Sequence, residues 1–276
     1  MLRRFLVLLI FSSLNNLWMA HASTSTATAK KEKPKAYSAA MSIDRGFPVK
    51  KEASYSTDVA FDFTYKLNDK QKLKALQYAI FPSEVEAGED KVQATDTYLF
   101  HYYTFNKNFT YRSTMTLPFS DASKDNGRIT RYEGRLYMGT SLGKDKEVRL
   151  TFIPLAAYYF NEFKFSPDSQ RKNKRYGIGG IFAASYSATD KLSFGASYVL
   201  RLDWEERSEK DVSDNNQTAG SYVVDLYSSY SISKNMGVRV GYQKSEAQRQ
   251  GTEVEYLFFR PEAASYYVGL DLSLCF

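Results

Sequence analysis

Residues 263–276 read Ala-Ala-Ser-Tyr-Tyr-Val-Gly-Leu-Asp-Leu-Ser-Leu-Cys-Phe, and from Tyr266 onward every even position is apolar: Tyr266, Val268, Leu270, Leu272, Leu274 and Phe276. Asp271 and Cys275 stand at odd positions between them. Successive side chains of a β-strand point to opposite faces, so a period of two predicts a strand with one uncharged, greasy face and one polar face.

The same period recurs upstream. Residues 55–65 set Val59, Phe61, Phe63 and Tyr65 on one face and Asp58, Ala60 and Asp62 on the other. Residues 109–119 oppose Phe109, Tyr111, Met115, Leu117 and Phe119 to Arg112 and three threonines, and residues 192–204 oppose Leu192, Phe194, Tyr198, Leu200, Leu202 and Trp204 to Arg201 and Asp203. Segments 132–142, 148–158, 176–186, 222–230 and 236–242 keep apolar residues on even positions, with no charge on that face. Arg or Lys facing lipid at a bilayer midplane costs roughly 2–4 kcal/mol, so exclusion of charge from one face of strand after strand is what a lipid-facing surface demands. Segments 70–81 and 94–105 fit less well, because Lys72 and Lys74 share parity with Leu76, Tyr78 and Ile80. A bulge or a late entry into the membrane is expected there.

The terminal strand resembles the C-terminal strand of Gram-negative outer-membrane β-barrels, ending on an aromatic residue. That resemblance implies recognition by the barrel-assembly machinery through Tyr266, Val268, Leu270, Leu272, Leu274 and Phe276, and a location in the outer membrane among lipid and lipopolysaccharide. The N-terminus agrees. Arg3 and Arg4, the apolar run Phe5 to Phe11 and the small-x-small site Ala20-His21-Ala22 form a secretory signal peptide over residues 1–22. Residues 23–35, rich in Ser, Thr and Lys, read as a flexible periplasmic tail, and residues 36–276 as the barrel.

Composition supports this reading. Aromatic residues are 16% of the 276, with Tyr 22 and Phe 19 against Trp 2, and Pro is scarce at 7, as suits long strands whose ends meet a membrane interface. Mean hydropathy is negative, but alternation hides a barrel from hydropathy averaging. The net charge of +6 falls to +4 without Arg3 and Arg4, and basic residues are scattered, so no nucleic-acid partner is expected. A soluble β-sandwich would also alternate. Its polar face would not be this rich in Gly177, Gly179, Gly195, Gly237, Gly241 and Gly269.

Short turns at 67–70, 106–108, 143–145, 189–191 and 233–235 alternate with longer loops at about 82–92, 120–128, 161–174, 206–219 and 244–262. This rhythm predicts an all-β, transmembrane antiparallel up-and-down β-barrel with periplasmic turns. A first strand over 36–44, followed by a loop at Asp44 to Pro48, brings the count to about twelve, with ten as the alternative.

By parity the inward face carries Arg112, Arg131, Glu133, Arg135, Arg149, Arg201, Asp203, Asp225, Arg239 and Asp271, along with Asp58 and Asp62. Two readings stand. Paired charges can fill a small barrel as an internal network, or a track of arginines can favour small anionic solutes in a narrow passive channel. A closed barrel acting through its loops is the alternative function. Catalysis has little support: His101 is the one histidine after residue 22, and its neighbours Phe100, Tyr102 and Tyr103 match no hydrolase or protease pattern. No cofactor is expected, and Cys275 is isolated, so no metal site is expected. Asp211, Asp214, Asn215 and Asn216 lack the spacing of a calcium loop. The barrel is expected to be a monomer.

Overall fold

A computed structural model describes residues 37–49, 56–83, 92–143, 145, 147–163, 173–205, 218–248 and 264–275. The expected signal peptide (1–22), the expected tail (23–35) and Phe276 lie outside these residues, as do most of the long loops.

The strands are β1 (Tyr37–Pro48), β2 (Ser56–Lys66), β3 (Gln71–Pro82), the two-residue β4 (Gln93–Ala94), β5 (Thr97–Asn106), β6 (Phe109–Leu117), β7 (Arg128–Leu142), β8 (Val148–Asn161), β9 (Lys174–Ser187), β10 (Leu192–Glu205), β11 (Thr218–Ser233), β12 (Met236–Gln248) and β13 (Ala264–Cys275). Each long strand pairs antiparallel with its neighbours in sequence. β13 returns to β1, from Ser38 opposite Cys275 to Pro48 opposite Ser265, and β2 pairs with β3, so twelve long strands close into a barrel with β4 as a short addition beside β3. At 9 to 16 residues each, they meet the roughly 9–11 residues needed to cross a bilayer.

The turns form where the chain offers short polar side chains. Asn68 Oδ1 accepts from Lys70 N at 2.9 Å, Asn106 Oδ1 from Asn108 N at 2.9 Å and Phe109 N at 3.1 Å, and Thr189 Oγ1 from Leu192 N at 2.9 Å. Each side chain stands in for a turn carbonyl. In the first turn Lys66 Nζ lies 2.9 Å from Asp69 and holds its carboxyl below the usual range. Opposite Pro154, the bridges between β7 and β8 lapse from Arg135–Leu155 to Met138–Phe152 and resume in the same register. The proline nitrogen has no hydrogen to give.

The outer surface is an apolar belt. Phe61, Phe152, Ile178, Phe182, Phe194, Leu226, Val240, Val268 and Leu274 are all exposed. Isolated exposed hydrophobics are ordinary, whereas a continuous belt around a barrel needs an apolar solvent.

Two expectations are corrected. The segment Asp44 to Pro48 is not a loop but the outer half of β1, paired to β13 throughout. Segment 70–81 has neither a bulge nor a late start, since β2 and β3 keep one register from Ser56–Pro82 to Lys66–Lys72. The even face of β3 points inward, lysines and apolar residues together. Leu76 and Tyr78 pack with Ala60, Tyr98, Phe100 and Tyr102 in a cluster on the inner wall, so apolar parity in this sector marks the lumen rather than the lipid. The expected loop 120–128 also holds one helical turn, α1 (Asp121–Asp125), capped by Ser120, whose side chain accepts from Ser123 N. Asp96 anchors it, accepting from Ser120 Oγ and Ser123 Oγ at 2.6 Å each.

The inward glycines are explained by what lies on them. A Cβ at Gly195 would strike the ring of Tyr227, and one at Gly241 the ring of Tyr267, whose hydroxyl donates to Asp225 at 2.9 Å. Gly241→Val is therefore expected to destabilise the barrel by about 1–3 kcal/mol through overpacking. Gly237→Ala, whose added carbon would meet only the Tyr230 carbonyl at 3.6 Å, should leave stability nearly unchanged. The temperature at which heat-modifiable gel mobility is lost, measured in detergent micelles, distinguishes the two variants.

Candidate functional site: the charged lumen

Inward parity brings long charged side chains from many strands into one enclosed space, where they must find partners or remain as costly unpaired charges. The densest assembly surrounds Glu133 on β7. Arg135 Nε donates to Glu133 Oε1 at 2.6 Å and Arg201 Nη1 to Oε2 at 3.1 Å, while Arg112 Nη2 stands 3.7 Å from Oε1. Arg131 also lies within electrostatic reach of this carboxylate. β8 and β9 separate β7 from β10, so the Glu133–Arg201 bond reaches across the interior rather than along the wall.

Arg201 links this hub to a second one. Its Nε donates to Asp203 Oδ1 at 2.8 Å and its Nη2 to Tyr159 OH at 2.6 Å, and Lys174 Nζ donates to Asp203 Oδ2 at 2.6 Å. Gly177 lies beneath Asp203, where a Cβ would collide with the carboxylate.

On the other side of the barrel, Arg239 Nη2 donates to Asp44 Oδ1 at 3.0 Å and lies 3.4 Å from Asp271 Oδ1. Asp58, Asp62 and Asp225 are buried in the same sector, Asp62 at 3.6 Å from Lys74 Nζ. The interior is thus polarised. Across β6, β7 and β10 taken together guanidinium groups outnumber carboxylates, Arg112, Arg131, Arg135 and Arg201 against Glu133 and Asp203, and carboxylates dominate on β1, β2, β11 and β13.

Of the residues assigned to the interior by parity, Arg112, Arg131, Glu133, Arg135, Arg201 and Asp203 come together in one network, and Arg239 and Asp271 in another. Asp225 stands with Tyr267, and Arg149 belongs to neither hub, pairing with Ser185 near the turn end of β8. Sequence reasoning missed Asp44, placed in a loop, and Lys74, set in a segment expected to bulge or to enter the membrane late. It also missed Tyr98, Phe100 and Tyr102, which carry cations on their faces: Arg131 at 5.9 Å, Arg112 at 4.9 Å and Lys72 at 4.5 Å. The signal was available for β5, whose even positions alternate cleanly once aromatic residues are allowed on an inner wall.

The network is tightly packed. Arg112, Glu133 and Asp203 are each 1% exposed, so at their level side chains rather than solvent occupy the space around them. His101 does not join it. It lies on the outer-facing register of β5 with Nε2 3.3 Å from Gln71 Oε1, an amide. Among the described residues no group of three or more His, Cys, Asp or Glu is placed to hold a metal ion.

No family model and no curated protein matches the chain. Solved structures do. An outer membrane channel from Pseudomonas putida F1 superposes with a TM-score of 0.56 at 12% identity, covering 90% of this chain and 98% of that one. The NanC porin gives 0.52 at 12% identity over 85% of this chain and 100% of that one. LpxR from Salmonella typhimurium gives 0.46 at 10% identity over 87% and 100%, a likeness too weak to carry an argument. The chain has the closed twelve-stranded antiparallel fold of outer-membrane β-barrels.

Glu133 holds the cationic arc together, and losing one partner of a buried ionic assembly costs about 3–5 kcal/mol. Glu133→Gln is therefore expected to lower the unfolding free energy obtained from urea titration by about 3–5 kcal/mol, and Glu133→Gln combined with Arg135→Met to recover part of the loss. Failure of the second change to recover any stability would show that the charge imbalance is not the cause.

Proposed function

We propose that this protein is a narrow passive channel of the Gram-negative outer membrane that favours small anionic solutes. The observation that carries the reading is the group of Arg112, Arg131, Arg135 and Arg201 around the single carboxylate of Glu133, inside a barrel of outer-membrane type. Eight-stranded barrels are filled by their own side chains and barrels of 16–18 strands hold an aqueous channel, and twelve lies between. An arc of the lumen where guanidinium groups outnumber carboxylates raises the local concentration of anions beside it and repels cations.

In this reading the chain is exported on its first 22 residues, and the barrel-assembly machinery inserts it through its C-terminal strand, whose exposed row includes Tyr266, Val268 and Leu274. The belt then faces lipid and the loops meet lipopolysaccharide. The barrel acts as a monomer and uses no cofactor.

One observation favours a second reading, a closed barrel that works through its extracellular loops: Arg112 and Glu133 are almost wholly covered.

Planar-bilayer recording separates the two. Stepwise currents from the purified barrel, with a reversal potential on the anion-selective side in a salt gradient, are the expected result. Arg201→Ala and Arg239→Ala should each reduce the anion preference. An intact barrel, judged by heat-modifiable mobility, that passes no current would sink the channel reading in favour of the closed barrel.

A further inference from the structure

Between β6 and β7, at the long-loop end of the barrel, residues 118–127 carry α1. Two residues set the limits of this segment. Pro118 has no amide hydrogen with which to extend the β6 ladder. Gly127 takes φ +62°, where a Cβ would also collide with the ring of Phe163. A helix of five residues makes too few internal hydrogen bonds to persist alone, so what α1 touches must hold it in place.

Those contacts are few, and they lie on two sides. On the β5 side, Asp96 is 4% exposed and accepts from Ser120 N at 3.0 Å and from Ser120 Oγ and Ser123 Oγ at 2.6 Å each. Arg128 Nη1 stands 3.6 Å from the same carboxylate and donates to Ser123 Oγ at 3.1 Å. On the β8–β9 side, Asn173 Nδ2 donates to the carbonyls of Asn126 and Phe163 at 2.9 Å each, and Glu162 N donates to the Gly127 carbonyl at 2.7 Å. Hydrogen bonds to a carboxylate are roughly twice as strong as neutral ones, so the hold on α1 is concentrated in Asp96.

The same contacts tie α1 to the lumen. The guanidinium carbon of Arg128 lies 5.6 Å over the ring of Tyr159, whose hydroxyl accepts from Arg201 Nη2 at 2.6 Å. Arg201 in turn donates to Glu133. A chain of contacts therefore runs through Ser123, Arg128, Tyr159, Arg201 and Glu133, from the buried side of the helix to the cationic arc. α1 thus rests on side chains of the inner wall.

We propose that α1 is a lid on the cationic side of the outer mouth, held down by Asp96, and that it lifts as one body between Pro118 and Gly127. The inference rests on the channel reading and adds the element that controls it. Lifting parts no strands, because the β6–β7 ladder begins below the lid, at Thr116 opposite Arg131. It uncovers Asp96 and Arg128 and widens the mouth beside the arginines.

Two measurements on the purified full-length barrel test this together: hydrogen exchange followed by mass spectrometry in detergent, and single-channel recording in planar bilayers. Amide exchange reads local opening against a folded background. In Asp96→Ala, exchange over residues 118–128 should rise about tenfold or more, the value of a lost buried charge-assisted hydrogen bond, while β10 and β11 keep the protection of the unmodified barrel. Single-channel conductance should rise in the same variant. Ser123→Ala and Asn173→Ala, which each remove part of the hold, should raise both quantities by less. Lys124→Gln, on the exposed side of α1, should change neither.

Exchange that stays slow in Asp96→Ala would overturn the role of Asp96. Faster exchange with unaltered conductance would show that α1 covers no conducting path, and would remove the lid while leaving the channel. Absence of current in both the unmodified and the Asp96→Ala barrel would remove the channel, and the lid with it. Should Asp96→Ala fail to fold, Ser123→Ala and Asn173→Ala decide by the same two readouts.

Discussion

Everything in this molecule depends on the absence of water from hydrocarbon. A peptide group exposed to lipid cannot exchange its hydrogen bond for one to solvent, and each unmet group costs several kcal/mol. A sheet can satisfy that demand only by having no edge. β1 supplies the closure by pairing with β13 across its whole length and with β2 on its other side. Its outer half, Asp44 to Pro48, gives the final strand a complete partner. With β1 ending at residue 43, the outer end of β13 would face lipid unpaired.

Closure also creates the interior, and the interior obeys different rules from the surface. Outside, charge is excluded because lipid cannot solvate it. Inside, charge is admitted but largely paired, because little water reaches groups as covered as Arg112, Glu133 and Asp203. Two solutions appear side by side. Around Glu133 and Asp203, arginines are shared among carboxylates and the hydroxyl of Tyr159, and glycines at 177 and 269 leave room for Asp203 and Asp44. On β3 and β5, aromatic side chains take the place of carboxylates and accept cations on their ring faces.

This duality decides what could be read from the chain. Parity alone recovers the strands whose two faces differ in kind: β13, with Val268 and Leu274 out and Asp271 in, or β10, with Phe194 out and Arg201 in. It misleads on β3, because Leu76, Tyr78 and Ile80 are as apolar as a lipid face and only the lysines two and four residues earlier betray their side. Register fixes what parity cannot. The meeting of Glu133 with Arg201 spans 68 residues of chain, and that of Asp44 with Arg239 spans 195, and both follow from strand order and stagger rather than from any local pattern. The inner residues were thus legible one at a time, while their partnerships were not.

The asymmetry of those partnerships bears most directly on function. A barrel that needed only to be filled could balance each arginine with a neighbouring carboxylate, as Lys74 and Asp62 are balanced on adjacent strands. The arc on β6, β7 and β10 is built otherwise. Its guanidinium groups outnumber its carboxylates, and several of their N–H groups end without a protein acceptor, while carboxylates gather on the opposite wall. Separating the signs across a low-dielectric interior is a stability cost relative to intermixing them. An interior that carries that cost is the feature on which the channel proposed for small anionic solutes rests.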